Sequence, residues 1–193
     1  CDALSKAEKV LKKLQGRNVV TWSTIIGGYA HKGMYEESLN CFERMQNEGF
    51  SPNVVTFICI LKACGNTRAI AKGEKIHHEI VRNGKLNLEK DVVLGTALVD
   101  MYAKCGMLDK AQGVFDLLQV RDVVSWTTLI AGYTEHGLAN EGLKCFKKMQ
   151  DGGIRPNSVT YICAMKSCGM VGSLEIGEDM DVEIRKQGLL QKD

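Results

Sequence analysis

Asn18–Pro52 reads NVVTWSTIIGGYAHKGMYEESLNCFERMQNEGFSP, and Asp122–Pro156 reads DVVSWTTLIAGYTEHGLANEGLKCFKKMQDGGIRP. The two align without a gap at an offset of 104 residues, and 16 of the 35 positions are identical. Self-similarity at a fixed period marks a repeat architecture, and it decides the fold before any single residue does. Within the first copy, Trp22, Ile25, Ile26 and Tyr29 fall at i, i+3, i+4 and i+7, one apolar stripe of a helix expected over Val20–Lys32. Gly33 ends it, because glycine takes the left-handed conformation common just past a helix. A second helix, expected over Tyr35–Glu48, opens on Glu36 and Glu37, which suit an N-terminal dipole, and buries Leu39, Phe42 and Met45. The unit is a helical hairpin. Trp22 and Trp126 are equivalent and are expected to carry equal weight in the core.

Outward from these copies the plan repeats. Asn53–Lys90 is a 38-residue hairpin with helices near Val55–Gly65 and Ala69–Arg82, and its image is Asn157–Asp193. Both contain ICxxKxCG, at Ile58–Gly65 and Ile162–Gly169. Asp91–Arg121 is the shortest unit, 31 residues, pairing Val93–Lys104 with Leu108–Leu118. The three lengths close on the 104-residue offset. Residues 1–17 match residues 105–121 at eight positions and read as one amphipathic helix over Ala3–Leu14 without its mate. The chain is therefore expected to be an internal stretch of a longer array. Ten complete helices and this orphan are expected, with no strands. A lone hairpin cannot bury its apolar faces, whereas stacked hairpins can.

Composition limits the function. With 45% hydrophobic and 25% charged residues the chain is ordinary for a soluble protein. A net charge of +2 is weak support for a polyanionic partner unless the charge is concentrated on one surface. No apolar run approaches a membrane span. The eight cysteines form four pairs 104 residues apart: Cys1/Cys105, Cys41/Cys145, Cys59/Cys163 and Cys64/Cys168. They are inherited with the repeat, and no CxxC occurs, so small buried thiols are expected rather than disulfides or a metal centre. That suits a reducing compartment.

The pattern VVTWSTIIGGY…G…EESLNCFERMQNEGFSPN resembles the pentatricopeptide repeat, a 35-residue hairpin, and LVDMYAKCGMLDKAQGVFDLL resembles the short motif of the plant PLS subclass. In that subclass P, long (L) and short (S) motifs alternate. The resemblance covers the whole chain: a partial S motif at 1–17, P at 18–52, L at 53–90, S at 91–121, P at 122–156 and L at 157–193. The 38-residue L unit exceeds the family's usual length through NGKLNLEKD, a lengthened loop. The implied fold is an all-α, right-handed superhelical solenoid.

The resemblance implies sequence-specific binding of single-stranded RNA, one base per repeat. In the family, a motif's fifth residue and the residue just before the next motif read the base edge, and the second residue packs against the base. The reading pairs are then Ser23 with Asn53, Thr96 with Asp122, and Thr127 with Asn157, and the packing residues are Val20, Val93 and Val124. Ser or Thr with Asn favours adenine, and Thr with Asp favours guanine. The L motifs place Ile58 and Ile162 at the fifth position, where no hydrogen bond to a base is possible, with Asp91 closing the first of them. The expected core target is 5′-A-N-G-A-3′, with editing-accessory proteins as further partners at the L motifs. Mitochondrion or chloroplast, and a role in C-to-U editing, follow from the resemblance alone. Taken without it, Ser and Thr near a helix start are common caps, and Asn or Asp between helices is common in turns. Ile58 and Ile162 equally suit core packing.

Two rival functions are weaker. Related plant proteins carry a deaminase domain whose zinc signature is H-x-E followed by P-C-x-x-C. His77-His78-Glu79 matches the first half, but no P-C-x-x-C follows and the residues sit within the helical run GEKIHHEIVRNG. No catalytic set, metal site or cofactor site stands out, so the chain is read as a non-enzyme without cofactors. The other rival is a helical-repeat scaffold for protein partners, of the tetratricopeptide type. The three alternating lengths argue against it, although both roles can coexist.

Overall fold

Five polar residues organise the chain by starting the first helix of every hairpin. The computed structural model describes residues 18–82, 88, 90–186 and 188. Within them lie ten helices: α1 Val19–His31, α2 Tyr35–Asn47, α3 Val54–Thr67, α4 Ile70–Arg82, α5 Val92–Lys104, α6 Leu108–Leu117, α7 Val123–Glu135, α8 Ala139–Asp151, α9 Ser158–Val171 and α10 Leu174–Lys186. No strand occurs among the described residues. The helix expected over Ala3–Leu14 lies outside them, as does most of the lengthened loop.

Asn18, Asn53, Asp91, Asp122 and Asn157 cap α1, α3, α5, α7 and α9. In each, one side-chain oxygen accepts the backbone N–H three residues on, at 2.8–3.0 Å. Thr21, Thr56 and Thr160 return the bond to the cap's own N–H, closing a reciprocal box. Satisfied caps explain why α1, α3 and α5 begin one residue earlier than the apolar stripe alone suggests.

The ends are equally regular. Gly33, Gly106 and Gly137, at φ 74–79°, let Met34, Met107 and Leu138 donate back to the carbonyls of Tyr29, Tyr102 and Tyr133. α3 and α9 run further and stop at the equivalent positions Arg68 (φ 53°) and Gly172 (φ 75°). The sequence reading ended α3 at Gly65, but that glycine is helical and serves packing instead.

The odd-numbered helices stack side by side: α1 on α3, α3 on α5, α5 on α7, α7 on α9. Each even-numbered helix packs on its own partner, and α2, α4, α6 and α8 also pack on the next first helix. The even-numbered helices do not approach one another as closely. They are tied by polar bridges instead, Lys72 to Glu43 at 2.8 Å and Lys110 to Glu74. The first helices make the more closely packed row, the inner row. One continuous core runs between the rows, and it includes Trp22, Ile26, Leu39, Phe42, Phe57, Leu61, Leu98, Phe115, Ile130, Phe146 and Tyr161. The result is an all-helical solenoid of hairpins.

The seven described cysteines are free thiols. Burial pushes Cys64 up to about 12 and Cys145 up to about 11. Protonated at neutral pH, they act as small apolar groups rather than nucleophiles.

Candidate nucleic-acid interface

The inner row exposes an equivalent apolar side chain at the start of each first helix. Val20, Val55, Val93, Val124 and Val159 occupy the second helical position in turn, and all are between 54% and 67% exposed. A β-branched side chain has little rotamer freedom to lose, so such a row offers stiff, regularly placed surfaces for flat groups. Val55 and Val159 were missed in reading the sequence for hydrogen-bonding pairs. The signal was present, because an Asn or Asp followed two residues later by valine opens all five first helices.

Beside each valine stands the cap, and its geometry divides the side chain in two. Oδ1 of Asn53 and of Asn157 faces inward to the backbone N–H of Thr56 and Thr160, both at 2.9 Å. An oxygen must face that donor, so Nδ2 is left as the outward atom, a pure donor. In Asp122, Oδ1 takes the Ser125 N–H at 2.8 Å and leaves Oδ2, a pure acceptor. Asn caps and Asp caps therefore present opposite polarity to the groove.

The structure brings the expected pairs together unevenly. Ser23 lies 3.3 Å from Asn53 Oδ1, but its hydroxyl also meets the Val19 carbonyl and Thr56 Oγ1, each at 2.7 Å. Thr127 reaches Asn157 only through Thr160, with Thr127 Oγ1 to Thr160 Oγ1 at 2.6 Å and Thr160 Oγ1 to Asn157 Oδ1 at 2.9 Å. Ser23 and Thr127 are 6% and 9% exposed, so these hydroxyls are turned into the protein. No hydrogen bond joins Thr96 to Asp122. The Ser125 hydroxyl turns to the Asp122 carbonyl at 2.9 Å, and Thr96 Oγ1 is buried without a partner. A cleft of about 310 Å³ lies along this row, lined in part by Asp100, Lys104, Val124, Thr127 and Asn157.

The fifth-position isoleucines differ. Ile58 is partly buried against the core, whereas Ile162 is 65% exposed on α9. Asp91 caps α5 through Leu94 N–H at 3.0 Å, with no hydroxyl at either neighbouring position. His77 and Glu79 face different neighbours. Nδ1 of His77 pairs with the Tyr102 hydroxyl at 2.8 Å, and burial, aided by His78, holds its pKa below the usual histidine range. Glu79 accepts from Gln46 of α2 at 3.2 Å. Among the described residues no three metal-ligating side chains cluster.

Stacked hairpins with a polar cap and an exposed valine at the start of each first helix define a helical-repeat solenoid. The PPR repeat family model matches residues 17–66 and 121–170, and the PPR repeat model matches 96–123. The chain belongs to the pentatricopeptide repeat (PPR) family. It is 37% identical over 190 residues to the pentatricopeptide repeat-containing protein At4g18520, chloroplastic, of Arabidopsis thaliana, covering 98% of this chain and 30% of that protein. It is 36% identical over 177 residues to At1g06140, mitochondrial, of the same plant, covering 92% and 31%. The chain thus spans less than a third of these relatives. The crystal structure of the pentatricopeptide repeat protein PPR10 in complex with an 18-nt psaJ RNA element superposes with a TM-score of 0.73 at 21% identity, over 90% of this chain and 26% of that one. That likeness shows the solenoid fold.

Proposed function

We propose that the chain binds single-stranded RNA along its row of first helices and reads bases at the junctions between hairpins. The observation that carries this reading is the repeated juxtaposition of an exposed valine with a cap side chain of fixed polarity. A base stacked on Val20, Val93 or Val124 presents its edge to the cap of the next unit. The Nδ2 donors of Asn53 and Asn157 match the N1 acceptor of adenine. The Oδ2 acceptor of Asp122 matches the N–H donors of guanine. RNA bound to a repeat protein of this family gives a precedent in PPR10.

Under the P–L–S–P–L order, RNA runs with its 5′ end at the N-terminal repeats, and Ser23/Asn53, Ile58/Asp91, Thr96/Asp122 and Thr127/Asn157 prefer 5′-A-N-G-A-3′. The chain then serves as the recognition part of an organellar RNA-processing factor, acting in C-to-U editing, in a mitochondrion or chloroplast. The names of relatives from both organelles support that setting. A second reading, contact with accessory proteins at the L motifs, is favoured by the exposure of Ile162.

Fluorescence anisotropy with short labelled RNAs tests the first reading. The chain should bind an oligonucleotide containing ANGA more tightly than one in which each A and G is replaced by U. Equal affinity for both would overturn base reading.

A further inference from the structure

The ICxxKxCG motif of the two long hairpins contains a lysine that the reading of bases leaves unused. These are Lys62 on α3 and Lys166 on α9, each seven residues after an exposed valine, Val55 or Val159. Residues i, i+3 and i+7 share one face of a helix. Valine, fifth-position isoleucine and lysine therefore stand in line, with the lysine about 10 Å beyond the valine. Both lysines are exposed. The equivalent places on α1, α5 and α7 hold Gly27, Asp100 and Ala131.

Charge is otherwise scarce on this row. The five first helices carry only five Asp, Glu, Lys or Arg side chains: Lys62, Asp100, Lys104, Glu135 and Lys166. Lys104 is paired with Asp100 at 2.8 Å. Among the described residues, neither Lys62 nor Lys166 is in an ion pair. Asp100 and Glu135 lie on the helices between them, so an anionic strand would be drawn to α3 and α9 rather than evenly along the row.

We infer that Lys62 and Lys166 hold the phosphate backbone of a bound single strand, so that the long hairpins anchor the RNA where they do not read it. The inference rests on the RNA-binding proposal and assigns it a second kind of contact. Ile58 and Ile162 offer no hydrogen bond to a base. A lysine ammonium is a point charge on a flexible stem, and it can meet a phosphate without the fixed geometry that a base edge demands. With one nucleotide per hairpin, the two anchored positions are three nucleotides apart. They bracket the units of α5 and α7, which read the third and fourth bases of ANGA.

Fluorescence anisotropy of the whole chain with one ANGA-containing RNA, repeated across a salt series, tests this. Each phosphate neutralised on a single strand contributes about 0.7 to the slope of log affinity against log salt. Lys62→Gln and Lys166→Gln should each lower the slope by about 0.7 and the double variant by about 1.4, with the ranking of third-base variants unchanged. Lys62→Arg should keep the wild-type slope. Lys147→Gln, an equal change of charge at an exposed site on α8, should keep it too. An equal fall in slope for Lys147→Gln would mark a bulk-charge effect. Unchanged slopes in Lys62→Gln and Lys166→Gln would show that the strand does not touch these lysines. Either result overturns the inference while leaving base reading intact. Slopes that fall as stated, in a chain whose wild type ranks all four bases equally, would keep the phosphate contacts and remove base reading. A wild-type chain that binds no RNA would overturn both.

Discussion

Trp22 and Trp126 hold equivalent places 104 residues apart, yet their surroundings differ. Trp22 is fully buried, with the Arg44 guanidinium 5.5 Å from its ring and its indole N–H unpartnered. Trp126 is only partly buried and meets the edge of Phe115 at 4.7 Å. Equal weight in the core was expected from the repeat, and burial corrects that expectation. Trp22→Ala should cost about 3–5 kcal/mol, the range for a large buried ring, and Trp126→Ala about half as much. Equal urea midpoints for the two variants would contradict this. The thiols give a second residue-scale test. Cys64 is raised by burial from an ordinary value of 9.0 to about 12, so the fold holds its proton more tightly than the unfolded chain does. Its contribution is fully present below about pH 9 and is lost as pH rises toward about 12. The fall in unfolding free energy between those limits should be shallower for Cys64→Ala than for the wild type. Identical slopes would show that the thiol is not desolvated.

At the scale of helices, glycine sets how closely the inner row packs. A Cβ on Gly65 of α3 would lie 3.2 Å from the Met101 Cα of α5, whereas one on the equivalent Gly169 of α9 meets nothing within 4 Å. Gly65→Ala should therefore force two helices apart and cost about 1–3 kcal/mol. Gly169→Ala should stabilise by up to about 1 kcal/mol through helix propensity. The difference is read as melting temperatures, and a stabilising Gly65→Ala would mean the helices are less tightly seated. This pair also shows what a sequence can carry. The hairpins, the apolar stripes and the turn glycines Gly33 and Gly137 were legible because period and backbone freedom are local properties. Gly65 looked like one more helix stop, because its reason lies in Met101, 36 residues on. Asn53, Asp122, Asn157, Val20, Val93 and Val124 were singled out through the family resemblance as reading and packing positions, whereas the role of Asn53, Asp122 and Asn157 as helix caps emerged only with the structure. The inward turn of Ser23 and Thr127 was not legible, since each hydroxyl is satisfied by a threonine 33 residues ahead, Thr56 and Thr160.

Over the whole molecule, a net charge of +2 leaves little for a general grip on phosphates. Several cations are already paired, Lys104 with Asp100 at 2.8 Å among them. Base choice should therefore be easier to detect than raw affinity, which should itself fall with added salt. The central claim is that the outward atom of the cap selects the base, and Asp122→Asn addresses it with least disturbance. Asparagine caps a helix as well as aspartate does, so α7 should form unchanged. The bond from the Ser125 N–H is kept, while the outward atom changes from acceptor to donor. Asp116→Asn is the control, since Asp116 is exposed on α6 and bonds Gln112 away from the inner row. The decisive measurement is competition binding against four RNAs that differ only at the third base of 5′-A-N-G-A-3′. The account predicts that Asp122→Asn moves the preference from G to A by about 1–3 kcal/mol, the worth of a matched base-edge pair, and that Asp116→Asn changes nothing. An unchanged ranking of the four RNAs in Asp122→Asn would contradict it.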